Sequence, residues 1–293
     1  MLILGHRGSI VKDPTALYSN SYPAFDLALH YADGFETDAC VSKDGIVFLA
    51  HEAKYINIPV EYCLNEHLEP ESSQRLGDRR FDQVEAEELR TFRLISGEPI
   101  PELKEVIKRV AAHQDKVLNL ELKGYNSAVA VLRDIDWAVS QGLMRYDQFI
   151  ISSFNHLAIS EIRKNRSDII LGFIFALDTQ VRTPLFLWLE NAKQKGWYEP
   201  FSSDYLYNSF VQEIAPDYVV IAEPILNEEN ARAIKDALPD TKIAAWVFTE
   251  LEESTDQGLE KKIETLVPKG LLDAIMPDNI KETAPKIRQT LKV

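Results

Sequence analysis

Residues 34–52 hold the side chains with the plainest chemical potential: Glu36 and Asp38 two positions apart, then His51. Glu36-Thr37-Asp38-Ala39-Cys40-Val41 has the spacing of a strand. Glu36, Asp38 and Cys40 then share one face, with Thr37, Ala39 and Val41 on the other. Two carboxylates on one strand face, backed by apolar groups, repel each other and call for a cation or a proton. Asp44-Gly45 marks a two-residue hairpin turn, because type I′ geometry needs positive φ at both central positions. A regular ladder from that turn pairs Lys43 with Ile46, Val41 with Phe48 and Asp38 with His51. Opposed Cβ atoms lie roughly 5 Å apart, so an imidazole is expected beside the carboxylates. Taken singly, these residues have plainer explanations, since most Glu-x-Asp pairs bind no metal and most lone histidines are hydrogen-bonded structural ones.

The other strand ends supply what turns the pair into a site. Residues 2–4 read as a short buried strand that delivers His6-Arg7-Gly8 at its C-terminal end. Residues 117–123, VLNLELK, put Asn119, Glu121 and Lys123 on one face and leucines on the other. Trp246 lies on the strand predicted over 243–248, and Asp278 follows the one over 274–276. Glu36, Asp38 and Glu121 together suit one hard divalent cation, Mg²⁺ or Ca²⁺, and no Cys/His spacing points to zinc. Arg7 and Lys123 suit an anionic group, and His6 and His51 suit general acid and base roles. Gly-rich phosphate loops, GxSxG and His-Glu-x-x-His are absent.

These residues need a frame that gathers strand ends. Strands are expected at 2–4, 36–41, 117–123, 149–152, 169–175, 218–222, 243–248 and 274–276. Helices are expected at 20–32, 102–113, 127–141, 157–164, 227–238, 259–267 and 280–291. Eight strands alternating with helices predict an α/β fold, a (β/α)₈ TIM barrel whose C-terminal strand ends carry the site. A doubly wound open sheet is the runner-up. Residues 1–293 read as one domain, with a polar insertion at about 53–98 after the second strand. The aromatic-rich residues 176–213 read as helix packing, and the acidic clusters 85–88 and 250–253 as solvated helix faces.

Composition narrows the partners. The formal charge of −14 disfavours nucleic-acid backbones and anionic membrane surfaces, so any anionic substrate needs local cations. The two cysteines, Cys40 and Cys63, form no disulfide framework. The opening MLILG has no basic n-region, and no apolar run approaches the roughly 18 residues of a membrane span. A cytoplasmic protein with a small-molecule partner, no nucleic acid and no stable membrane anchor is expected.

His6-Arg7-Gly8, Glu36-x-Asp38 with Ser42-Lys43-Asp44-Gly45 and His51, Glu121-Leu122-Lys123, Ser153-Phe154 and Trp246 follow one another along nearly the whole chain. In that order they resemble the glycerophosphodiester phosphodiesterase family. The resemblance implies a (β/α)₈ barrel, one divalent cation, and hydrolysis of a glycerophosphodiester to glycerol phosphate and an alcohol. It also implies roles: His6 and His51 as the acid/base pair, and Glu36, Asp38 and Glu121 as metal ligands. Arg7 and Lys123 would hold the phosphate, and Trp246 would line the pocket. One histidine would deprotonate the glycerol 2-hydroxyl for attack on phosphorus while the other protonates the leaving alcohol, and water would open the cyclic phosphate. The chain departs from the family at Ser19-Asn20-Ser21, where Glu-Asn-Thr is usual, at Glu52 for Asp, and at Pro277-Asp278-Asn279-Ile280 for Thr-Asp-Arg-Pro. Two other functions stay open beside hydrolysis: phospholipase D-like cleavage or cyclisation of a lysolipid head group, and a phosphodiester-binding barrel without turnover.

Overall fold

The computed structural model describes residues 1–10, 19–51, 68–123, 127–176, 190–196, 198–247 and 254–291. The first strand, β1 (Leu2–Gly5), leads to helix α1 (Tyr22–Tyr31). Strand β2 (Gly34–Val41) then turns back through β3 (Val47–Leu49). Helices α2 (Pro70–Leu76), α3 (Ala86–Leu89) and α4 (Leu103–Ala111) precede β4 (Val117–Leu122). Alternation then continues with α5 (Ser127–Ser140), β5 (Phe149–Ser153), α6 (His156–Asn165) and β6 (Ile170–Phe175). Two short helices, α7 (Ser203–Leu206) and α8 (Ser209–Ile214), lead to β7 (Tyr218–Ala222). The chain closes with α9 (Glu228–Ala237), β8 (Lys242–Trp246), α10 (Asp256–Leu266), β9 (Ala274–Met276) and α11 (Ile280–Thr290).

The strands pair in the order β1-β9-β8-β7-β6-β5-β4-β2, and β1 pairs with β2 to close the ring. All eight ring pairings are parallel, while β3 lies antiparallel on β2. This is the expected (β/α)₈ barrel. Parallel strands covered by helices are buried on both faces, which is why β2 is buried at all eight positions and β5 and β7 at all five. The helices present apolar stripes to this wall; α4 buries Leu103, Val106, Ile107 and Val110 at helical spacing. Side-chain caps fix several helix starts at the C-terminal face: Ser21 accepts from Ala24 N, Asn155 from Ala158 N, and Thr255 from Gly258 N.

The hairpin after β2 differs from the expected one. Val41 pairs with Val47, Cys40 with Phe48 and Ala39 with Leu49, one residue away from the two-residue-turn register. Gly45 adopts φ 84°, but Asp44 is not among the residues with positive φ, so a type I′ turn is ruled out. Instead Gly45 N bonds Ser42 O at 2.9 Å and Ser42 N bonds Ile46 O at 2.8 Å, closing a three-residue loop with glycine at its left-handed position. The Asp44 carboxylate is held by Ser42 Oγ at 2.7 Å and by Ala86 N at 2.8 Å, so it ties the turn to α3. The register puts Ala50, not His51, opposite Asp38, and Ala50 N bonds Asp38 O at 3.0 Å.

The described part of the insertion, from residue 68, has its own apolar cluster. Leu68, Leu76, Phe81, Leu89, Phe92 and Ile100 pack with Cys40 and Phe48 of the hairpin. Cys40 thus belongs to this second apolar cluster, its thiol directed to Ala50 O at 3.1 Å. The acidic residues at 85–88 lie at the solvent-facing side of α3 as expected, Glu85 paired with Lys43 and Glu88 with Arg79 at the surface. In the described part of the aromatic segment, Tyr198, Tyr205 and Phe201 pack on Phe175, and Tyr198 and Tyr205 also pack on His156; Phe186, Trp188 and Trp197 lie outside the described residues. Residues 52–67, 177–189, 197 and 248–253 lie outside the described residues, and with them Glu52, Cys63, Trp188 and the 250–253 cluster. Among the described residues no helix is long and apolar enough to cross a membrane.

Candidate active site

Two periodicities bring the carboxylates together. Glu36 and Asp38 point inward from β2 because they are two residues apart. Asp38 is the register partner of Glu121 on β4, as Glu36 is of Asn119. One oxygen from each of Glu36, Asp38 and Glu121 lies within 4.8 Å of the others, and all three residues are buried. Asn119 sits one layer deeper, accepting from Ser152 Oγ at 2.9 Å.

The β1 end brings His6 and Arg7 onto this cluster through a tight turn. A Cβ on Gly5 would lie 1.8 Å from the carbonyl oxygen of Gly8, and Gly8 itself takes φ 81° with Ala24 C 2.8 Å from where its Cβ would be, so both positions require glycine. Arg7 takes φ 49°, an uncommon left-handed conformation for a non-glycine residue, and the turn is held by Arg7 N to Glu36 Oε2 at 3.0 Å and Gly8 N to Glu36 O at 3.1 Å. Its guanidinium reaches Asp38, Nε to Oδ2 at 3.3 Å. Lys123 approaches from β4, 2.9 Å from Asp38 Oδ1 and in close contact with Glu121 Oε1. Its ammonium lies 6.0 Å from the Phe154 ring. His6 points Nε2 toward Glu36 Oε2 at 4.0 Å and Nδ1 to Asp278 Oδ1 at 2.8 Å. Trp246 sets its ring edge against His6 at 5.9 Å and against Phe154 at 6.1 Å, forming an aromatic wall.

The electrostatics separate the three acids. Burial, then Asp38 and Glu121, push the Glu36 carboxyl well above the usual carboxylate range. Burial also raises Glu121, reinforced by Asp38 and opposed by Lys123. Burial acts on Asp38 in the same direction, but Lys123, Arg7 and His51 outweigh it and hold that carboxyl well below its ordinary range. His51, just past β3, therefore stands close enough to act on Asp38 although the hairpin register does not pair them.

The expected residues His6, Arg7, Glu36, Asp38, Glu121, Lys123 and Trp246 thus converge at the C-terminal face, with His51 beside them. Two further residues take part that the sequence reading gave no role. Asn20, expected as the first residue of a helix, lies before its cap with φ 52°. There its Nδ2 donates to Asp38 Oδ2 at 2.8 Å while its Oδ1 accepts from Thr37 Oγ1 at 2.6 Å. Asparagine tolerates the left-handed region, which is the one local signal it carried. Asp278, noted only as a polar strand end, is the partner of His6.

Whether the acidic cluster fits a divalent cation is decided by its donors. They are all carboxylate oxygens, the set a hard cation takes, and Glu36 Oε1 is buried with no hydrogen-bond partner among the described residues. The residues fit the ion.

Comparison with known proteins agrees with this geometry. The family model described as glycerophosphoryl diester phosphodiesterase family matches residues 6–218. A glycerophosphodiester phosphodiesterase of Caldanaerobacter subterraneus subsp. tengcongensis is 24% identical over 59% of this chain and 66% of that protein, so the match spans just under two thirds of that relative. One from Bacillus altitudinis is 26% identical over 80% of this chain and 89% of its own. A solved phosphodiesterase of Oleispira antarctica, in complex with the product sn-glycerol-3-phosphate, superposes with a TM-score of 0.64 at 19% identity. That match covers 100% of this chain and 97% of the other. With the family model covering most of the chain and the barrel shared with the solved relative, this chain belongs to the glycerophosphoryl diester phosphodiesterase family of enzymes.

Proposed function

We propose that this chain hydrolyses glycerophosphodiesters to glycerol phosphate and an alcohol, with a divalent cation at the acidic cluster and proton transfers by His6 and His51. The observation that carries the reading is the buried convergence of Glu36, Asp38 and Glu121 beside Arg7, Lys123 and His6. Glu36, Asp38 and Glu121 would hold the cation, Mg²⁺ or Ca²⁺, which when bound supplies charge neutralisation of the diester and of the oxygens that gain charge in the transition state.

The chain's own groups account for the rest. Among the described residues Arg7 and Lys123 are the cations paired with this cluster, and they draw an anionic phosphodiester into a protein of charge −14. One imidazole takes the proton of the glycerol 2-hydroxyl as its oxygen bonds phosphorus, and the other gives a proton to the alcohol oxygen as its bond to phosphorus breaks. Water then opens the cyclic phosphate. Trp246 and Phe154 shield one side of this space from bulk water. The cytoplasm, with a small-molecule diester as partner, belongs to the same proposal.

The test is release of glycerol phosphate from a panel of glycerophosphodiesters after chelation, then with Mg²⁺ or Ca²⁺ restored. Release that is abolished by chelator and recovered with one cation supports the reading. Release of a head group from lysolipids alone would replace it with the phospholipase D-like reading. Binding without release under any cation would make the barrel a binding protein, the reading that Ser19 in place of an acidic residue motivates.

A further inference from the structure

We infer that Asp278 and Asp256 are positioning residues for His6, a two-step relay that starts in the α10 helix, away from the carboxylate cluster. The first step is direct. Asp278 Oδ1 lies 2.8 Å from His6 Nδ1, and a carboxylate can only accept, so Nδ1 carries the proton. That choice of tautomer leaves Nε2 as the ring atom with a lone pair, and Nε2 is the atom turned toward Glu36 and the reaction space. His6 is thereby fixed in both orientation and proton placement.

The second step fixes Asp278 itself. Asp256, in the first turn of α10, accepts from Asp278 N at 2.8 Å and from Asn279 N at 2.9 Å. It also accepts from Thr283 Oγ1 at 2.6 Å, so one carboxylate clamps the β9-to-α11 turn. The turn is joined to the His6 loop at the backbone: His6 N bonds Pro277 O at 3.0 Å and Ile10 N bonds Asp278 O at 2.8 Å. Ser9 Oγ adds a bond to Asp278 O at 3.1 Å. Two segments at opposite ends of the sequence are thus held at fixed separation, and the bond between His6 and Asp278 inherits that precision. A positioning error of about 1 Å at a reacting group can lose about a hundredfold in rate, which is the scale on which such a clamp acts.

The test has one arm that needs no turnover. In ¹⁵N-histidine-labelled, chelated protein, long-range ¹H–¹⁵N correlation reports which ring nitrogen of His6 is protonated. Wild type should show the Nδ1–H form, and Asp278→Ala should lose it. The kinetic arm, which alone rests on the phosphodiesterase reading, expects Asp278→Ala to lower kcat about a hundredfold with KM changed less than about threefold. Asp256→Asn should lower kcat about tenfold, and that loss should vanish in the Asp278→Ala background, because both act through one imidazole. If Asp256→Asn does not fold, Thr283→Val removes only the hydroxyl bond to Asp256 and should show the same non-additivity on a smaller scale. Retention of the Nδ1–H form in Asp278→Ala, or additive losses in the double variant, would overturn the relay. Should wild type turn over no glycerophosphodiester, the functional reading falls while the ring-proton measurement still decides the relay.

Discussion

Replacing Glu36 and Asp38 one at a time should move the stability of the chelated protein in opposite directions, although the two carboxylates share one strand face. Asp38 is the counter-charge to two nearly buried cations, Lys123 at 2.9 Å and Arg7 at 3.3 Å, and accepts from Asn20 at 2.8 Å. Removing one partner of a buried ion pair typically costs about 3–5 kcal/mol, because the other charge is left uncompensated. Asp38→Asn should therefore lower Tm by roughly 5–8 °C at about 1.6 °C per kcal/mol for a chain of 293 residues. Glu36 is the reverse case, since burial, Asp38 and Glu121 all disfavour its charge. A folded pKa raised above the unfolded value gives stability that is complete below the ordinary carboxylate range and lost as pH climbs through the raised value. Glu36→Gln removes that loss, so at pH 7 in chelator its Tm should equal or exceed wild type. The measurement is thermal unfolding of wild type and both variants in chelator, across pH. Equal Tm values for the two variants, or a lower one for Glu36→Gln, would refute the assignment of Asp38 as the paired carboxylate and Glu36 as the frustrated one.

Other outcomes follow from the same geometry. A divalent cation at a hundred times its Kd should add about 2.7 kcal/mol to wild-type stability and much less to either variant, read by unfolding with and without Mg²⁺ or Ca²⁺. His6→Ala and His51→Ala should each lower kcat by at least about a hundredfold in the glycerol phosphate assay, the low end for a positioned acid or base. His156 is buried against Phe173, with Tyr205 Oη at 2.9 Å from Nδ1 and Ile174 O at 3.2 Å from Nε2, and burial pushes its pKa down to about 4. A depressed base contributes stability that is intact above 6.5 and lost as pH falls from there to about 4, a loss of about 3 kcal/mol that His156→Phe should remove from the acid limb of an unfolding profile. Ser19→Glu should tighten cation binding in calorimetry, since Ser19 is buried next to Asn20, the partner of Asp38.

The fold was legible because its signals are periodic and long. Apolar strands such as Phe149–Ser153 and Tyr218–Ala222 alternate with helices bearing stripes such as Leu103, Val106, Ile107 and Val110, and each parallel crossover forces the same geometry. The inward carboxylates were legible for a similar reason, since a period of two fixes the face of Glu36, Asp38 and Glu121. What escaped depended on single dihedrals and on contacts distant in sequence. The hairpin register turned on Asp44, whose side chain is engaged by Ser42 and Ala86 in a turn without positive φ at that residue. Asn20 looked like a helix start because its neighbours Tyr22 and Phe25 carry the helical spacing, while its own left-handed φ is set by the bond from its backbone N–H to Arg7 O at 2.9 Å. Asp278 lies 272 residues from His6, and no local pattern announces a pair at that separation.

The departures from the family pattern acquire meaning when set against these contacts. Ser19 removes a carboxylate from the segment that positions Asp38, yet Asn20 beside it keeps both its donor and its acceptor engaged on β2. Among the described residues the clustered acids are Glu36, Asp38 and Glu121, and the side-chain cations paired with them are Arg7 and Lys123. Of the three, Asp38 is contacted by both cations and Glu121 by Lys123, while Glu36 stays unfavourable in its charged form. A divalent cation bound across the cluster would relieve Glu36 most, because that carboxylate has the least compensation from the protein. The loss at Ser19 therefore bears on how tightly the cation is held and leaves the His6–Asp278 pair, on the β1 and β9 side of the barrel, untouched. Cation affinity and proton transfer are in this way carried by separable parts of one site, and substitutions at Ser19 and at Asp278 should separate them: the first in the cation titration, the second in kcat.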